Sequence, residues 1–149
     1  MDLRKTILLC AFALIVTACG GAKKPPTVGE SKNFTEVCDK ANDGKRVALE
    51  GYLRLPDKVN RKTGPVLRLY PTTDYSGKPI GVSTEIGSQP NQIAFIPKEY
   101  TDNDLKVNVA NGQTAGFGTK VKVSGDVYFP LVDQDFQCSL SNPLVEIVK

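Results

Sequence analysis

Basic and aromatic side chains are concentrated in one stretch of the chain. Between positions 54 and 68 there are five basic residues and one acidic residue, Asp57, which gives a local net charge of +4. On either side of this stretch, a tyrosine stands at a polar position of an alternating segment. Cations beside exposed rings suit the phosphates and bases of a single strand, and also anionic sugars or lipid head groups. A solvated hairpin tip balanced by Asp126, Asp133 and Asp135 is the alternative. The candidate ligand-binding residues are Tyr52, Arg54, Lys58, Arg61, Lys62, Arg68 and Tyr70.

The chain contains no histidine, which removes most familiar catalytic centres. Without imidazole there is no Ser-His-Asp or Cys-His nucleophilic centre and no histidine ligand for zinc or haem. Paired carboxylates remain, and Glu50 with Asp126 is the best-placed pair. The acidic cluster at 102–104 offers two carboxylates with no third ligand in register. We therefore expect a protein that is not an enzyme and that holds no cofactor and no metal.

The first eighteen residues have the pattern of an export signal. A charged start precedes an uncharged run over 6–16, shorter than the roughly 20 residues that span a bilayer. The following Val16-Thr17-Ala18-Cys19-Gly20 resembles the bacterial lipoprotein box. That resemblance implies cleavage before Cys19, lipidation of its thiol and anchoring to a membrane of the bacterial cell envelope, with the domain on the extracytoplasmic side. A plain secretory signal is the alternative.

Residues 19–33 follow as a segment rich in Gly, Pro, Ser and Lys without apolar periodicity, which is typical of a flexible tether. With the signal it carries the whole net charge of +3, so the body at 34–149 has 14 bases and 14 acids. A neutral body gives no global electrostatic reason to bind nucleic acid. The predicted organisation is a signal peptide at 1–18, a lipidated tether at 19–33 and one domain at 34–149.

Two cysteines remain available in the domain. Cys10 leaves with the signal and Cys19 carries the lipid, so Cys38 and Cys138 can pair in only one way. An exported domain meets an oxidising compartment in many species. The alternative is a reactive thiol, but neither cysteine has a Cys-x-x-Cys partner and the chain has no histidine. We therefore predict a structural disulfide.

The domain is predicted to begin with one short helix and to continue as strands. Asn33 can cap the helix with Glu36 three residues later, and Phe34, Val37 and Ala41 share one side before the chain turns at 42–44. Apolar residues then alternate in segments typical of strands. These segments are 47–55, 66–70, 79–86, 93–96, 105–109, 121–129 and 144–148.

Two of the strands echo one another. GKRVALEGYL at 44–53 and GTKVKVSGDV at 118–127 share their leading glycine, a valine three residues on and a glycine in mid-strand. A glycine there lets a long strand kink sharply, as a small barrel requires. Two long kinked strands in a domain of this size favour a five-stranded barrel.

At these residues the chain resembles the OB-fold, in particular the OB-type domains of small exported bacterial lipoproteins, including the group similar to the anticodon-binding OB domain. The echoed segments would be its first and fourth strands. The predicted fold is all-β, a small Greek-key barrel with one short N-terminal helix, and a β-sandwich is the alternative. The region at 87–117 is longer than the usual link between third and fourth strands.

The resemblance also bears on function. OB-folds commonly bind oligonucleotides or oligosaccharides on their second and third strands and the adjoining loops. We expect a non-catalytic binding or interaction module whose partners are the membrane, through the lipid on Cys19, and an envelope protein or glycan. Binding of single-stranded nucleic acid or an anionic oligosaccharide through the basic first hairpin is the alternative, although the neutral domain disfavours nucleic acid.

Overall fold

The computed structural model describes residues 25–132 and 135–149. The signal peptide, Cys19 and the first part of the tether lie outside the described residues. Within them, no helix is both long and apolar enough to cross a membrane.

The regular secondary structure of the described chain consists of eight strands and two short 3-10 helices. The helices are Lys40–Asn42 and Asp102–Asp104. The strands are β1 (Glu30–Ser31), β2 (Arg46–Arg54), β3 (Val66–Tyr70), β4 (Ile80–Ser83), β5 (Lys106–Asn108), β6 (Thr114–Gly116), β7 (Lys120–Tyr128) and β8 (Ser139–Ile147).

Five of these strands close into a barrel. The order is β2-β3-β4-β8-β7, and β7 returns to pair with β2. All pairs are antiparallel except β4 with β8, which run parallel. The apolar side chains of these strands that point into the barrel are buried, and Leu49, Leu69, Ile80 and Leu140 are among the largest of them. The predicted all-β, five-stranded OB-like barrel is therefore confirmed, and the sandwich alternative is wrong.

The mid-strand glycines of the echoed segments lie where strands approach most closely. A Cβ on Gly51 would collide with the carbonyl oxygen of Tyr70, at the point where β2 changes partner from β7 to β3. A Cβ on Gly125 would lie 2.8 Å from the Cβ of Leu140, beside a register shift in the β7–β8 ladder. Both glycines thus allow the kinks that their positions predict.

The long link between β4 and β7 contains an additional β-hairpin. β5 and β6 pair antiparallel, and isolated bridges join Ile93 to Ile86 and to Val107. The alternation predicted over 105–109 is present, because Leu105, Val107 and Val109 are all buried. These side chains belong to the same apolar cluster as the barrel interior. The inserted hairpin therefore extends the barrel core.

The predicted N-terminal helix is reduced to turns and the 3-10 helix Lys40–Asn42. Asn33 caps the first of these turns, because its Oδ1 accepts hydrogen bonds from the backbone N–H groups of Thr35 and Glu36. Asp39 then adopts an extended backbone (φ −65°, ψ 136°), which stops the helix after one turn. As a result Ala41 is exposed and Asn42 is buried, contrary to the predicted apolar side.

The end of the predicted tether lies along the barrel. Glu30 and Ser31 pair parallel with Val47 and Ala48 of β2. The Gly29 N–H donates to Ser124 Oγ at 3.1 Å, and Arg46 donates to the carbonyl of Thr27. Residues 27–32 lack apolar periodicity, so the sequence pattern does not reveal these contacts. They are held mainly by backbone hydrogen bonds to an otherwise open edge of β2.

The predicted disulfide is present between Cys38 and Cys138, which are 100 positions apart. Cys138 is fully buried and immediately precedes β8. The bond therefore fixes the turns before β2 to the last strand of the barrel.

Loss of this disulfide should destabilise the domain without changing its fold. Replacing both Cys38 and Cys138 by Ala should cost about 2–4 kcal/mol of unfolding free energy, equivalent to roughly 10–20 °C in melting temperature. Thermal circular dichroism with and without reductant measures the effect. The double variant also serves as the control for the reductant, because it has no Cys38–Cys138 bond to reduce. Reductant should therefore lower the melting temperature of the wild type and leave that of the variant unchanged. Equal melting of both proteins under oxidising conditions would show that the bond contributes nothing.

Candidate ligand groove

Strand register brings four of the predicted site residues together on one surface. Tyr52 lies opposite Tyr70, and Arg54 lies opposite Arg68, while the intervening pair Leu53 and Leu69 points into the barrel. The tyrosine and arginine side chains therefore lie on the outer side of the sheet, as the alternation predicts. Their surroundings, however, separate them into a covered part and an open part.

Arg54 belongs to the covered part. Its Nε and Nη2 both donate to Oδ2 of Asp102, at 2.9 and 2.6 Å, and its guanidinium lies 5.1 Å from the centre of the Tyr75 ring. Two cations directly opposite each other destabilise a sheet, so Arg54 and Arg68 each need an acid. The bonds to Asp102 supply it and raise the pKa of Arg54 above its ordinary value.

Tyr70 is also covered, with only 7% of its surface exposed. Tyr75, in the loop between β3 and β4, packs edge-on against it with ring centres 5.5 Å apart. Tyr75 has a left-handed backbone (φ 52°), and burial of its ring raises the pKa of its phenol. The expectation that Tyr52 and Tyr70 together present open ring faces is therefore wrong for Tyr70, whereas Tyr52 is half-buried.

Arg68 lies in the open part, in a groove of about 590 Å³ between the β2–β3 loop and the β7–β8 loop. Its Nη1 and Nη2 donate to the two carboxylate oxygens of Asp57, at 3.0 and 2.7 Å, and Nη2 also lies 3.4 Å from Asp135. These bonds lower the pKa of the exposed Asp57 carboxyl. We call this feature the Arg68 groove; its further lining residues include Lys58, Asn60, Gly64 and Phe136.

One donor in the Arg68 groove has no acceptor. Arg68 Nε is buried and makes no hydrogen bond to any described residue. A buried donor without an acceptor is costly, so such an atom marks a place where an additional acceptor stabilises the structure. Across the strand from Arg68, a Cβ on Gly81 would meet the Phe136 ring at 3.2 Å. The absence of a side chain at Gly81 lets Phe136 pack close to the sheet.

The remaining candidates lie on the β2–β3 loop. Arg61 donates to the carbonyl oxygens of Ile96 and Pro97, at 2.6 and 2.8 Å, and thereby attaches this loop to the inserted segment. Lys58 and Lys62 are exposed and form no ion pair with a described residue. Phe95, which sequence reasoning missed, is 75% exposed and lies near the Arg61 guanidinium.

These contacts change the electrostatics expected for the stretch. Arg54 forms an ion pair with Asp102 and Arg68 with Asp57, and Arg61 donates hydrogen bonds to backbone carbonyl oxygens. In the Arg68 groove, Arg68 and Lys58 are matched by Asp57 and Asp135. The groove is therefore suited to a polar ligand of mixed charge rather than to a polyanion.

The carboxylates considered for catalysis are engaged separately. Glu50 pairs with Lys120 at 2.9 Å and Asp126 pairs with Arg46 at 3.1 Å. Asp126 lies opposite Arg46, four positions along β2 from Glu50, a separation of about 13 Å along the strand. Among the described residues no group of three or more Asp, Glu, Cys or His side chains is placed to hold a metal ion.

Sequence reasoning missed Asp102 and Tyr75 as parts of this surface. A local signal existed for Asp102, because Thr101 and Asp104 form the capping box of its 3-10 helix, which predicts the turn but not its contact with Arg54. No local pattern predicts that Tyr75 folds back over Tyr70. Both contacts depend on which loops the closed barrel brings together.

Comparison with known proteins adds no relative from which a function could be transferred. No family model, no curated protein and no solved structure matches this chain.

Proposed function

We propose that this protein is a lipid-anchored component of the bacterial cell envelope that binds a polar partner, a glycan or a segment of an envelope protein, in the Arg68 groove without catalysing a reaction. The observation that carries the proposal is the open groove at which the Arg68 guanidinium is held between Asp57 and Asp135, beside the exposed Lys58. Hydroxyl and carbonyl groups of a polar ligand would form hydrogen bonds with these charged side chains.

The anchor is supported by the residues that precede the barrel. The lipoprotein-box pattern ends at Cys19, and the described chain begins at Pro25 and is attached to the barrel from Thr27 onward. The chain from Cys19 to Thr27 spans eight residues, which reach about 27 Å at full extension. Lipidation at Cys19 would thus hold the barrel close to the membrane surface, with less freedom than a tether ending at residue 33.

Lipidation has a direct test in cells grown with a radiolabelled fatty acid. Label should be incorporated into the wild-type protein, because the Cys19 thiol carries the acyl chains. It should be lost in Cys19→Ala and retained in Cys10→Ala, a matched change of a cysteine within the predicted signal. Label that persists in Cys19→Ala, or a wild type without label, would contradict the anchor.

Binding in the Arg68 groove can be tested with a photoreactive residue in living cells. Lys58 lines the groove and is exposed, so a photoreactive side chain there should form an adduct with an envelope component. Arg68→Gln should reduce the yield about tenfold, the effect of losing a charge-assisted hydrogen bond. The measurement is the adduct band on a denaturing gel.

Lys45 serves as the matched position for that experiment, because it is equally a lysine, is exposed and does not line the Arg68 groove. A folded Arg68→Gln variant, shown by an unchanged circular dichroism spectrum, excludes loss of structure as the cause. The same adduct from Lys45, or an undiminished adduct from Arg68→Gln, would argue against the groove.

A second candidate function is binding of a single-stranded nucleic acid or an anionic oligosaccharide by the β2–β3 loop. It is favoured by the exposed Phe95 ring beside Arg61, together with the exposed Lys58 and Lys62. An aromatic ring beside a cation, on a surface that also carries two exposed lysines, suits base stacking with phosphate contact. The cations are few, so this interaction would be weaker than that of a dedicated nucleic-acid binder.

The second candidate predicts a small salt dependence. Two lysine–phosphate contacts with oligothymidylate correspond to a slope of about −1.4 in log affinity against log salt. Lys58→Glu with Lys62→Glu should abolish binding, whereas Lys45→Glu with Lys149→Glu, an equal charge change elsewhere, should leave it. Fluorescence anisotropy measures both. Binding that is independent of salt or of the loop charges would reject this function.

A further inference from the structure

The inserted hairpin carries a second groove, on a surface different from that of Arg68. It has a volume of about 500 Å³ and lies between the 3-10 helix Asp102–Asp104 and the outer face of β5 and β6. We call it the hairpin groove; its lining residues are Asn103, Leu105, Lys106, Thr114, Gly116 and Phe117.

Gly116 forms part of this groove, and the fold does not explain why a glycine is there. At the other glycines of the described chain, either the backbone has a positive φ or an added Cβ would approach a neighbour to within 2.8 Å or less. Gly116 has neither property, because the nearest atom to its Cβ, the Leu105 carbonyl oxygen, would lie at an ordinary 3.5 Å. A strand glycine that packing does not require is typical of a place where a ligand approaches the backbone.

Phe117 forms one side of the same groove. Tyr75 is stacked on this ring with centres 5.2 Å apart and planes 17° apart, which covers one ring face and fixes its orientation. Phe117 remains 40% exposed and lines the groove. The negative face of an aromatic ring attracts positively polarised groups, among which are the C–H bonds on one side of a sugar ring.

Three polar side chains surround this ring and the bare backbone of Gly116. Asn103 offers an amide, Thr114 a hydroxyl and Lys106 an ammonium group, and all three are exposed. None of these side-chain groups forms a hydrogen bond or ion pair with another residue of 25–132 or 135–149. The acids on either side of Asn103 in the sequence are already engaged, Asp102 by Arg54 and Asp104 by the backbone N–H of Thr101.

We infer that the hairpin groove is a saccharide site that accepts one sugar ring of an acidic oligosaccharide. The ring stacks on Phe117 and lies over Gly116, the amide of Asn103 and hydroxyl of Thr114 bind sugar hydroxyls, and Lys106 pairs with a sugar carboxylate. This site does not depend on the Arg68 groove, and it is also distinct from the basic β2–β3 loop.

The test uses calorimetric titration of the purified full chain with a tetrasaccharide of galacturonic acid and with its fully methyl-esterified form. The acidic form should bind more tightly, and Lys106→Gln should remove that difference. Gly116→Val should abolish binding of both forms while leaving the melting temperature unchanged or higher, because valine favours strands and its branches would occupy the groove. Phe117→Ala should weaken binding about tenfold.

Matched variants separate this site from the others. Phe95→Ala removes an exposed ring elsewhere and should leave the affinity unchanged, and Thr114→Val keeps the side-chain shape but should weaken binding through loss of the hydroxyl. Failure of the wild type to bind either saccharide, or undiminished binding by a folded Gly116→Val, would overturn the inference. Loss of binding in Lys58→Glu with Lys62→Glu would instead place the saccharide on the β2–β3 loop. None of these results alters the Lys58 cross-linking test of the Arg68 groove.

Discussion

Close approach of backbones at glycine positions is the constraint on which this barrel depends. A side chain at Gly51 would strike the backbone carbonyl of Tyr70, and one at Gly81 would strike the side-chain oxygen of Ser139, at the parallel β4–β8 pair. Gly125 allows the same proximity between β7 and β8. Five strands enclose a core without large gaps only when they bend this sharply. The inward rows of leucine, isoleucine and valine then follow from simple alternation.

The same tight sheet determines what its outer face can do. Register places Arg54 directly opposite Arg68, a repulsive arrangement that is stable here because Asp102 and Asp57 approach from two different loops. Asp57 is already included in the net charge of +4 over positions 54–68, and the further acids Asp102 and Asp135 reduce the charge of this surface to +2. Under the proposed function, recognition on this face would therefore depend on groove shape and on individual hydrogen bonds more than on long-range attraction, as expected of a domain whose bases and acids are equal in number.

Features that depend on local or periodic patterns could be predicted from the sequence. Alternation and the repeated mid-strand glycine predict the barrel, and elimination among four cysteines predicts the Cys38–Cys138 bond. Features that depend on distant contacts could not be predicted. Arg54 and Asp102 are 48 positions apart, and Tyr75, which itself has a left-handed backbone, covers Tyr70 from the loop between β3 and β4. Residues 27–32 contact the edge of β2 mainly through backbone groups. Because such contacts do not require apolar side chains, no hydrophobic pattern in the sequence indicates them.

The inserted segment between β4 and β7 shows how one short hairpin can serve both stability and recognition. Its inward residues Val107 and Ala115 are buried with the barrel core, so the hairpin is rigid at its base. Its outward-facing residues do not pack in that core. The ring of Phe117 is stacked on Tyr75, and Tyr75 in turn packs against Tyr70 of the barrel. A chain of packed rings thus runs from the sheet to the surface. An aromatic face oriented in this way would lose little freedom on binding, which would favour binding of the proposed saccharide by a domain that has no net charge.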